Sequence, residues 1–253
     1  MDRVLLITGV YGGIGYATAK VFKEHGWKII GIDRERKEDV DNLLDLFIEK
    51  DLSETETIND IFSQIKTQYS THINCLVNNA AVQIAKSILE TTEDEWDLVY
   101  KSNIKSVFVL VKHAFELLKK TRGAIVNVGS VHAFATSKNI SAYASTKGAL
   151  LAFTRSSALE FIEDGIRVNC VIPGAVDTNM LTAGLSRGHL RNENIQVMMD
   201  TLGMRHPIKR VGNPLEIGRL IYFLADNEQS SFITGQSFVA DGGALAQLST
   251  ESC

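Results

Sequence analysis

A tyrosine and a lysine four residues apart are the residues of this sequence best suited to proton transfer. Tyr143 and Lys147 lie in the segment Ser141–Lys147, which reads SAYASTK. If this segment is helical, residues four apart share one face, where an ammonium group favours the phenolate form of a phenol. A phenol otherwise titrates near pH ~10, too high for base chemistry at neutral pH. The pair therefore predicts an acid/base couple in which Lys147 lowers the pKa of Tyr143.

A serine upstream of this pair can complete the chemistry. Ser130 ends the predicted strand Ala124–Ser130, at the carboxyl edge where open α/β sheets bind ligands. Its hydroxyl can orient a substrate carbonyl or hydroxyl while Tyr143 passes a proton and Lys147 lowers the phenol pKa and holds a ribose. The alternative is that Tyr143 only packs in the core and Lys147 only faces solvent, because Tyr/Lys pairs at this spacing are common. The surrounding motifs decide between the two.

A glycine-rich turn follows the first predicted strand and predicts a phosphate-binding site. The segment Thr8–Gly15 reads TGVYGGIG. Gly9 allows a sharp turn, Gly13 a close approach of the backbone to a pyrophosphate, and Gly15 tight packing of a helix on the strand. The helix N-terminus would face the negative charge. Glycines also cluster in structural turns, but this position between a buried strand and an amphipathic helix favours dinucleotide binding.

The cofactor preference is predicted from the end of the second strand. Asp33 closes the predicted strand Lys28–Asp33 and is followed by Arg34. A carboxylate there accepts hydrogen bonds from a ribose 2′-hydroxyl and repels a 2′-phosphate, which predicts NAD. Arg34 complicates the prediction, because its guanidinium could bind that phosphate if Asp33 turned away. The plainer alternative is that Asp33 only opens a turn.

Two asparagine sites leave alternatives open. Asn103 falls at the spacing of the apolar stripe of the predicted helix Glu95–Lys120. It is either a hydrogen-bonded core residue, which the helix alone favours, or an amide that bends the helix and holds a water. The segment Asn78–Ala81, which reads NNAA, is either an ordinary turn or a source of hydrogen bonds where a cofactor crosses the sheet.

Apolar β-rich runs alternate with helical periods, which predicts an α/β fold with a doubly wound, Rossmann-type parallel sheet in three αβα layers. The predicted strands are Val4–Thr8, Lys28–Asp33, Phe47–Asp51, Ile73–Asn78, Ala124–Ser130, Ile166–Ile172 and Ser237–Ala240. The predicted helices are Gly13–His25, Asp39–Leu46, Glu54–Tyr69, Glu95–Lys120, Ala142–Asp164 and Pro214–Ala225. The long irregular region Asn179–Asn213 is predicted to be a substrate lid or a helical insertion.

Composition restricts the class of protein. A chain of 253 residues, 45% of them hydrophobic, can form one large domain over residues 1–253. The net charge of −4, without a long run of like charge, argues against nucleic-acid binding. The N-terminus has too short an apolar run for a signal peptide or membrane span. The three cysteines, Cys75, Cys170 and Cys253, have no metal-ligand spacing and fit a reduced, cytoplasmic setting.

In their order and spacing, these residues resemble the short-chain dehydrogenase/reductase family over nearly the whole chain. The family's TGxxxGxG motif is similar to Thr8–Gly15, and its NNAG motif to Asn78–Ala81. Its adenine-contacting pair resembles Asp51-Leu52, and its PGxxxT motif resembles Pro173–Thr178. Further similar segments are Arg210–Glu216 and Asp241–Gly243.

Two departures from the family pattern are visible. Ala81 replaces the usual last glycine of NNAG and adds a Cβ near the expected cofactor crossing. The span from Asp33 to Asp51 is short for a full helix and strand. Neither departure involves Ser130, Tyr143 or Lys147.

The resemblance implies an NAD-dependent oxidoreductase that interconverts a secondary alcohol and a ketone. Hydride would move between nicotinamide C4 and a substrate carbon while Tyr143 exchanges a proton with the substrate oxygen. Ser130 would steady that oxygen, and Asn103 would support a water relay that reaches Lys147. The implied cofactor-binding residues are Thr8, Gly9, Gly13, Ile14, Gly15, Asp33, Arg34, Asp51, Leu52, Asn79, Ala80, Tyr143, Lys147, Pro173, Val176 and Thr178.

Other functions remain open at this point. An NADP-dependent 3-oxoacyl-carrier reductase shares the scaffold, although Asp33 argues against NADP. A non-catalytic dinucleotide-binding sensor would be expected to have lost part of the Ser-Tyr-Lys set, which this chain retains.

The substrate is expected to be a small alcohol or carbonyl compound. The region between Arg187 and Arg210 has five Lys/Arg against two acidic residues, which could steer an anionic substrate or simply be solvated. His132 either lines the pocket or is structural. The resemblance also implies a homotetramer built through the helices Glu95–Lys120 and Ala142–Asp164 and the C-terminal strand.

Overall fold

The computed structural model describes residues 2–37, 42–185 and 194–247. Seven parallel strands form one sheet in the order β3-β2-β1-β4-β5-β6-β7. The strands are β1 Val4–Thr8, β2 Lys28–Asp33, β3 Leu46–Glu49, β4 Cys75–Asn78, β5 Ala124–Val128, β6 Arg167–Pro173 and β7 Ser237–Ala240. The helices are α1 Gly13–Glu24, α2 Ile58–Gln68, α3 Glu93–Tyr100, α4 Ser106–Lys119, α5 Ser141–Glu160, α6 Asn179–Leu185, α7 Ile195–Met204, α8 Pro214–Ala225 and α9 Asn227–Ser230.

The sheet is covered on both faces, as the continuous apolar strands require. On one face, strand residues such as Ile30 pack with α2, α4 and α5, represented by Phe62, Leu110 and Leu150. On the other face, α1 and α8 pack against the sheet through residues that include Phe22. The predicted αβα layering and doubly wound parallel sheet are therefore confirmed.

The strand prediction is correct to the residue for β1, β2 and β7, but β5 ends earlier than expected. Ser130 lies beyond the strand, where its hydroxyl accepts a hydrogen bond from the amide of His132 at 3.2 Å. This bond begins a short 3-10 turn, Val131–Ala133, and takes the chain away from the sheet. Ser130 therefore stands on a turn above the strand end.

The predicted helix Asp39–Leu46 is wrong at its C-terminal end, because Leu46 opens β3. The Asp45 carboxylate accepts a hydrogen bond from the amide of Ile29 at 2.8 Å, and the Asp45 amide donates to Ile29 O at 2.9 Å. These bonds hold the chain beside β2 before the ladder starts. Residues 39–41 of the predicted helix lie outside the described residues.

The predicted helix Glu95–Lys120 consists of α3, a π-helical turn over Lys101–Lys105, and α4. The Thr92 side chain and Glu95 form a capping box that fixes the start of α3. π-Helical turns inside α-helices occur frequently at functional sites. Asn103 lies in the middle of this turn.

The predicted lid is partly helical. It contains α6 and α7, while residues 186–193, including Arg187 and Arg191, lie outside the described residues. Cys75 and Cys170 are buried free thiols, and Cys253 also lies outside the described residues. Across the described ranges, every helix is too short or too polar to cross a lipid bilayer.

Candidate active site

A cleft of about 1020 Å³ opens at the carboxyl ends of the strands. β1 has β2 on one side and β4 on the other, so the order in which strands are added to the sheet changes direction at β1. The cleft lies at this change of direction. Such switch points are where open α/β sheets bind ligands. The predicted site residues that line the cleft are Gly9, Gly13, Ile14, Asp33, Arg34, Asp51, Leu52, Asn79, Ala80, Ser130, Tyr143, Lys147, Pro173, Val176 and Thr178.

Two glycines of the glycine-rich turn, Gly9 and Gly13, have no space for a side chain. Gly9 has a φ of +63°, and a Cβ there would lie 2.9 Å from Ala80 Cα. A Cβ on Gly13 would lie 2.6 Å from Thr178 Cγ2. Among the described residues, no side chain caps the start of α1 at Gly12, and the first amides of a helix have no partner within the helix. Gly13 and Ile14 of this first turn line the cleft. The turn therefore fits a pyrophosphate.

Two of the predicted cofactor-binding residues lie behind the cleft wall. Thr8 is 1% exposed, and its hydroxyl accepts hydrogen bonds from the amides of Asn79 and Ala80, each at 3.0 Å. Gly15 is buried, and a Cβ there would collide with Gly9 O. Thr8 and Gly15 therefore shape the turn, while Asn79 and Ala80 reach the cleft itself.

The second asparagine of NNAA fastens the turn to β4. Asn79 Nδ2 donates hydrogen bonds to Thr8 O at 2.9 Å and Gly9 O at 3.0 Å. Ala81, the departure from NNAG, is absent from the non-glycine residues with positive φ in the described part of the chain. An alanine is therefore accommodated at this position without backbone strain.

Asp33 stands at the end of β2 with both carboxylate oxygens engaged by backbone amides. Oδ2 accepts from Tyr11 N at 2.9 Å, and Oδ1 accepts from Arg34 N at 2.8 Å. A carboxylate has about four lone-pair sites, so each oxygen can accept a further hydrogen bond. The residue is thus held facing the cleft and can still bind hydroxyl groups. Arg34 is exposed at the same rim.

The residues after β3 form the far end of the cleft. The Asp51 carboxylate accepts a hydrogen bond from Ser53 N at 2.8 Å, which fixes its turn. Leu52 is 7% exposed and presents an apolar surface there. A carboxylate beside a buried leucine suits the polar edge and apolar face of a heterocyclic base.

Ser130, Tyr143 and Lys147 converge near the centre of the cleft. The turn after β5 positions Ser130, and the first two turns of α5 position Tyr143 and Lys147. The Ser130 side chain lies near enough to the Tyr143 phenol to favour its ionised form. Lys147 Nζ lies 5.4 Å from the Tyr143 ring centroid and donates to Val128 O at 2.7 Å. The three residues are buried, at 7%, 7% and 3% exposure.

Burial dominates the protonation equilibria of this group. It raises the pKa of Tyr143 to about 12, against a smaller opposing effect of the nearby Ser130 side chain. It lowers the pKa of Lys147 to about 8. This differs from the sequence-based expectation of a lowered tyrosine pKa, because desolvation of the phenol outweighs its neighbours. At neutral pH the group therefore holds a protonated phenol.

Asn103 does not line the cleft but connects two walls of it. Its Oδ1 accepts from Val82 N at 2.7 Å, and its Nδ2 donates to Val82 O at 2.9 Å and to Thr146 Oγ1 at 3.2 Å. The side-chain amide is therefore used by protein partners. Asn103 fixes the loop after β4 to the residue preceding Lys147 on α5.

The segment Pro173–Thr178 is fixed by a second segment far along the chain. Val176 and Gly212 form an isolated parallel bridge. Gly212 N donates to Ala175 O at 2.8 Å, and Asp177 N donates to Gly212 O at 3.0 Å. These contacts explain why Arg210–Glu216 accompanies the cofactor motifs in the sequence: it supports the cleft wall from behind.

Other residues that line the cleft were not selected from the sequence. They come mainly from the loop after β4 and the loop before α5, and include Val82, Gln83, Ser137, Lys138, Asn139 and Ile140. His132 also lines the cleft, and its ring packs against that of Tyr143. The predicted fold does indicate these loops, because the segments that follow β4 and β5 must meet at the same edge of a parallel sheet. Among the described residues, no group of three or more His, Cys, Asp or Glu could hold a metal ion.

Comparison with known proteins agrees with this geometry. Residues 9–244 match the family model for enoyl-(acyl carrier protein) reductase. The chain is 34% identical to 3-oxoacyl-(acyl-carrier-protein) reductase of Chlamydia muridarum, over 96% of this chain and 97% of the relative. It is 32% identical to meso-2,3-butanediol dehydrogenase of Serratia marcescens, over 97% and 95%.

A solved structure shows the same fold. Ligand-free aldohexose dehydrogenase of Thermoplasma acidophilum superposes with a TM-score of 0.90 at 29% identity, over 98% of this chain and 96% of that one. The fold, the glycine turn and the relatives agree with the resemblance seen in the motifs. The chain belongs to the short-chain dehydrogenase/reductase family, whose members are oxidoreductases that act on CH–OH or C=O groups with nicotinamide dinucleotides.

Proposed function

We propose that the protein is an NAD(H)-dependent oxidoreductase that interconverts a secondary alcohol and a ketone, with Tyr143 as the acid/base. The convergence of Ser130, Tyr143 and Lys147 on one cleft carries this proposal. A sensor that only binds a dinucleotide has no need of a buried phenol grouped with a serine hydroxyl and a buried lysine.

The cleft fits a dinucleotide along its length. The amides of the glycine turn would hold the pyrophosphate, and Asp33 would accept hydrogen bonds from the adenosine ribose. Asp51 and Leu52 would hold the adenine end, and Lys147 the nicotinamide ribose. Pro173, Val176 and Thr178 would support the nicotinamide end. A bound nicotinamide supplies the hydride donor or acceptor.

The chain's own residues would manage the proton. In carbonyl reduction, the protonated Tyr143 phenol would donate its proton to the substrate oxygen, and the Ser130 hydroxyl would hold that oxygen in place. Lys147 beside the ring favours the phenolate that remains. Asn103 would act as a positioning residue, because it fixes the turn of α5 that precedes Lys147. We propose α6 and α7 as the substrate-side wall, since Met180, Leu181 and Leu202 line the cleft there.

The cofactor is tested by titrating the purified protein with NADH and then NADPH at matched ionic strength, following nicotinamide fluorescence. Tighter NADH binding is expected, because the Asp33 carboxylate would repel a 2′-phosphate. Binding of neither dinucleotide would overturn the proposal. A second candidate, an NADP-dependent 3-oxoacyl-carrier reductase, is favoured by exposed Arg34, Arg36 and Lys37 after Asp33 and by the Chlamydia relative. Equal or tighter NADPH binding would support it.

Replacement of Asp33 tests the basis of the preference. Asp33→Ala is expected to reduce the NADH-over-NADPH preference roughly tenfold or more, because hydrogen bonds to a charged group contribute about 1.5–3 kcal/mol. Asp33→Asn is the matched variant, since it keeps an acceptor for Tyr11 N but removes the charge. A preference unchanged in both variants would reject Asp33 as the selector.

We also propose a homotetramer assembled through α4, α5 and β7. Apolar side chains are exposed on or near these elements: Phe108 at 51%, Leu159 at 77%, Ile162 at 51% and Val239 at 48%. Burial of such side chains between copies would be favourable. Light scattering coupled to gel filtration is expected to give four times the monomer mass of 27.9 kDa. A monomeric mass at micromolar concentration would contradict the assembly.

A further inference from the structure

The substrate end of the cleft has a polar side and an apolar side. His132 beside Tyr143 and the loop residues Ser137 and Asn139 provide neutral hydrogen-bonding groups, and Lys138 of the same loop adds an ammonium group. Met180 and Leu181 on α6 provide an apolar surface. The two carboxylates that line the described cleft, Asp33 and Asp51, are both at the dinucleotide end. The substrate end therefore suits a molecule with more than one oxygen atom and an apolar portion.

His132 is held directly beside the acid/base group. Its ring centroid lies 6.0 Å from that of Tyr143, with 78° between the ring planes. Its backbone amide donates to Ser130 Oγ at 3.2 Å. The imidazole is thus fixed on the same side of the cleft as the two hydroxyl groups that would contact the reacting oxygen.

One nitrogen of the imidazole is engaged within the protein. Nδ1 lies 3.3 Å from Thr136 Oγ1, which leaves Nε2 as the nitrogen able to contact a substrate. Burial lowers the pKa of His132 below its ordinary value of 6.5, so the ring is neutral at neutral pH. A neutral ring nitrogen is a partner for a hydroxyl or carbonyl oxygen rather than a counter-ion for a carboxylate.

We propose that His132 recognises a second oxygen on the carbon next to the reacting one, so that the substrate is a vicinal diol or the corresponding α-hydroxycarbonyl compound. The inference rests on the proposed function, since it takes the reacting oxygen to lie between Ser130 and Tyr143. Oxygen atoms on adjacent carbons lie about one hydrogen-bond length apart. The His132 imidazole packs against the Tyr143 ring, and the backbone amide of the same residue donates to Ser130 Oγ, so the imidazole is placed for the second of the two.

Matched substrate pairs test this proposal. One pair is acetoin and 2-butanone with NADH, and the other is glucose and 2-deoxyglucose with NAD. Each pair differs by a hydroxyl next to the reacting carbon. Steady-state kcat/KM of the wild type is expected to be about tenfold or more higher for the vicinal member of at least one pair, because a site built for a hydroxyl is left with an unpaired polar group without it.

Variants of His132 separate recognition from packing. His132→Ala is expected to remove most of this preference by lowering kcat/KM for the vicinal compound about tenfold, with kcat/KM for its partner changed less than about threefold. His132→Gln, which keeps a hydrogen-bonding group, is expected to restore part of the preference. Equal losses for both members of a pair would show that the ring only supports Tyr143, and would overturn the proposal.

The two proposals fail in different ways. NADH binding without a preference for the vicinal member of either pair, or without turnover of any vicinal compound, would overturn the substrate class and leave the dinucleotide-linked function standing. Absence of NADH and NADPH binding would overturn the proposed function, and the substrate class with it.

Discussion

Tyr143→Phe is expected to lower kcat for carbonyl reduction by about 10²–10⁴-fold, the usual contribution of a positioned acid or base. The variant keeps the ring that packs against His132 and removes only the hydroxyl that would donate the proton. NADH binding, followed by nicotinamide fluorescence, is expected to change little, because the glycine turn and Asp33 are untouched.

The matched control is Tyr69→Phe. The Tyr69 phenol also has a pKa raised by burial to about 12, but the residue packs against the core beside α2 rather than in the cleft. Near-normal turnover is expected for this variant. Turnover of Tyr143→Phe within about threefold of the wild type would reject Tyr143 as the acid/base.

Lys147→Met is expected to lower turnover by about 10²-fold or more and, at the same time, to stabilise the fold at pH 7. The wild-type lysine is fully buried, donates to Val128 O and has a pKa lowered from 10.5 to about 8 by desolvation. A shift of that size corresponds to a cost of about 3 kcal/mol while the amine is protonated. Methionine fills similar space without that cost, although it loses the hydrogen bond to Val128.

The lowered pKa of Lys147 determines how the free energy of unfolding changes with pH. Between the folded pKa of about 8 and the ordinary value of 10.5, the unfolded chain binds more protons at Lys147 than the folded chain does. The free energy of unfolding of the wild type therefore rises with pH in this window through Lys147, and that contribution is absent from the variant.

Urea unfolding at pH 7 and near pH 10 measures this difference. The advantage of Lys147→Met is expected to shrink as the pH rises. Lys20→Met, the same change at an exposed position on α1, is the control and is expected to alter neither turnover nor stability appreciably. A Lys147→Met variant less stable than the wild type at pH 7, or an advantage that does not depend on pH, would show that burial of the ammonium is not costly here.

Much of this site follows from local sequence patterns because the required backbone geometry is itself local. Gly9 is needed at a positive φ, and Asp33 is needed where β2 ends, so a glycine after one strand and a carboxylate after the next are informative without tertiary structure. The alternation of apolar strands and helices likewise predicts the sheet and its layers.

Other features depend on contacts between distant segments, and the sequence pattern could not show them. The π-helical turn around Asn103 arises where its amide bonds the backbone of Val82, a residue from another loop. The raised pKa of Tyr143 results from burial of its phenol in the folded protein, whereas a lysine four residues away predicts a lowered pKa. The early end of β5 follows from the turn at Ser130 rather than from a change in hydrophobicity.

The interior position of β1 in the sheet, between β2 and β4, has a consequence for synthesis on the ribosome. Leu5 pairs with Ile29 on one side but with Cys75 on the other, so one edge of the apolar segment Val4–Thr8 stays open until β4 is made. The hydrogen bonds from Asn79 and Ala80 to Thr8 also form only then. A nascent chain that pauses before β4 therefore exposes one edge of β1, which is prone to aggregation. A dinucleotide cannot protect this edge, because the glycine-rich turn that would bind its phosphates is not yet held in place by Asn79 and Ala80.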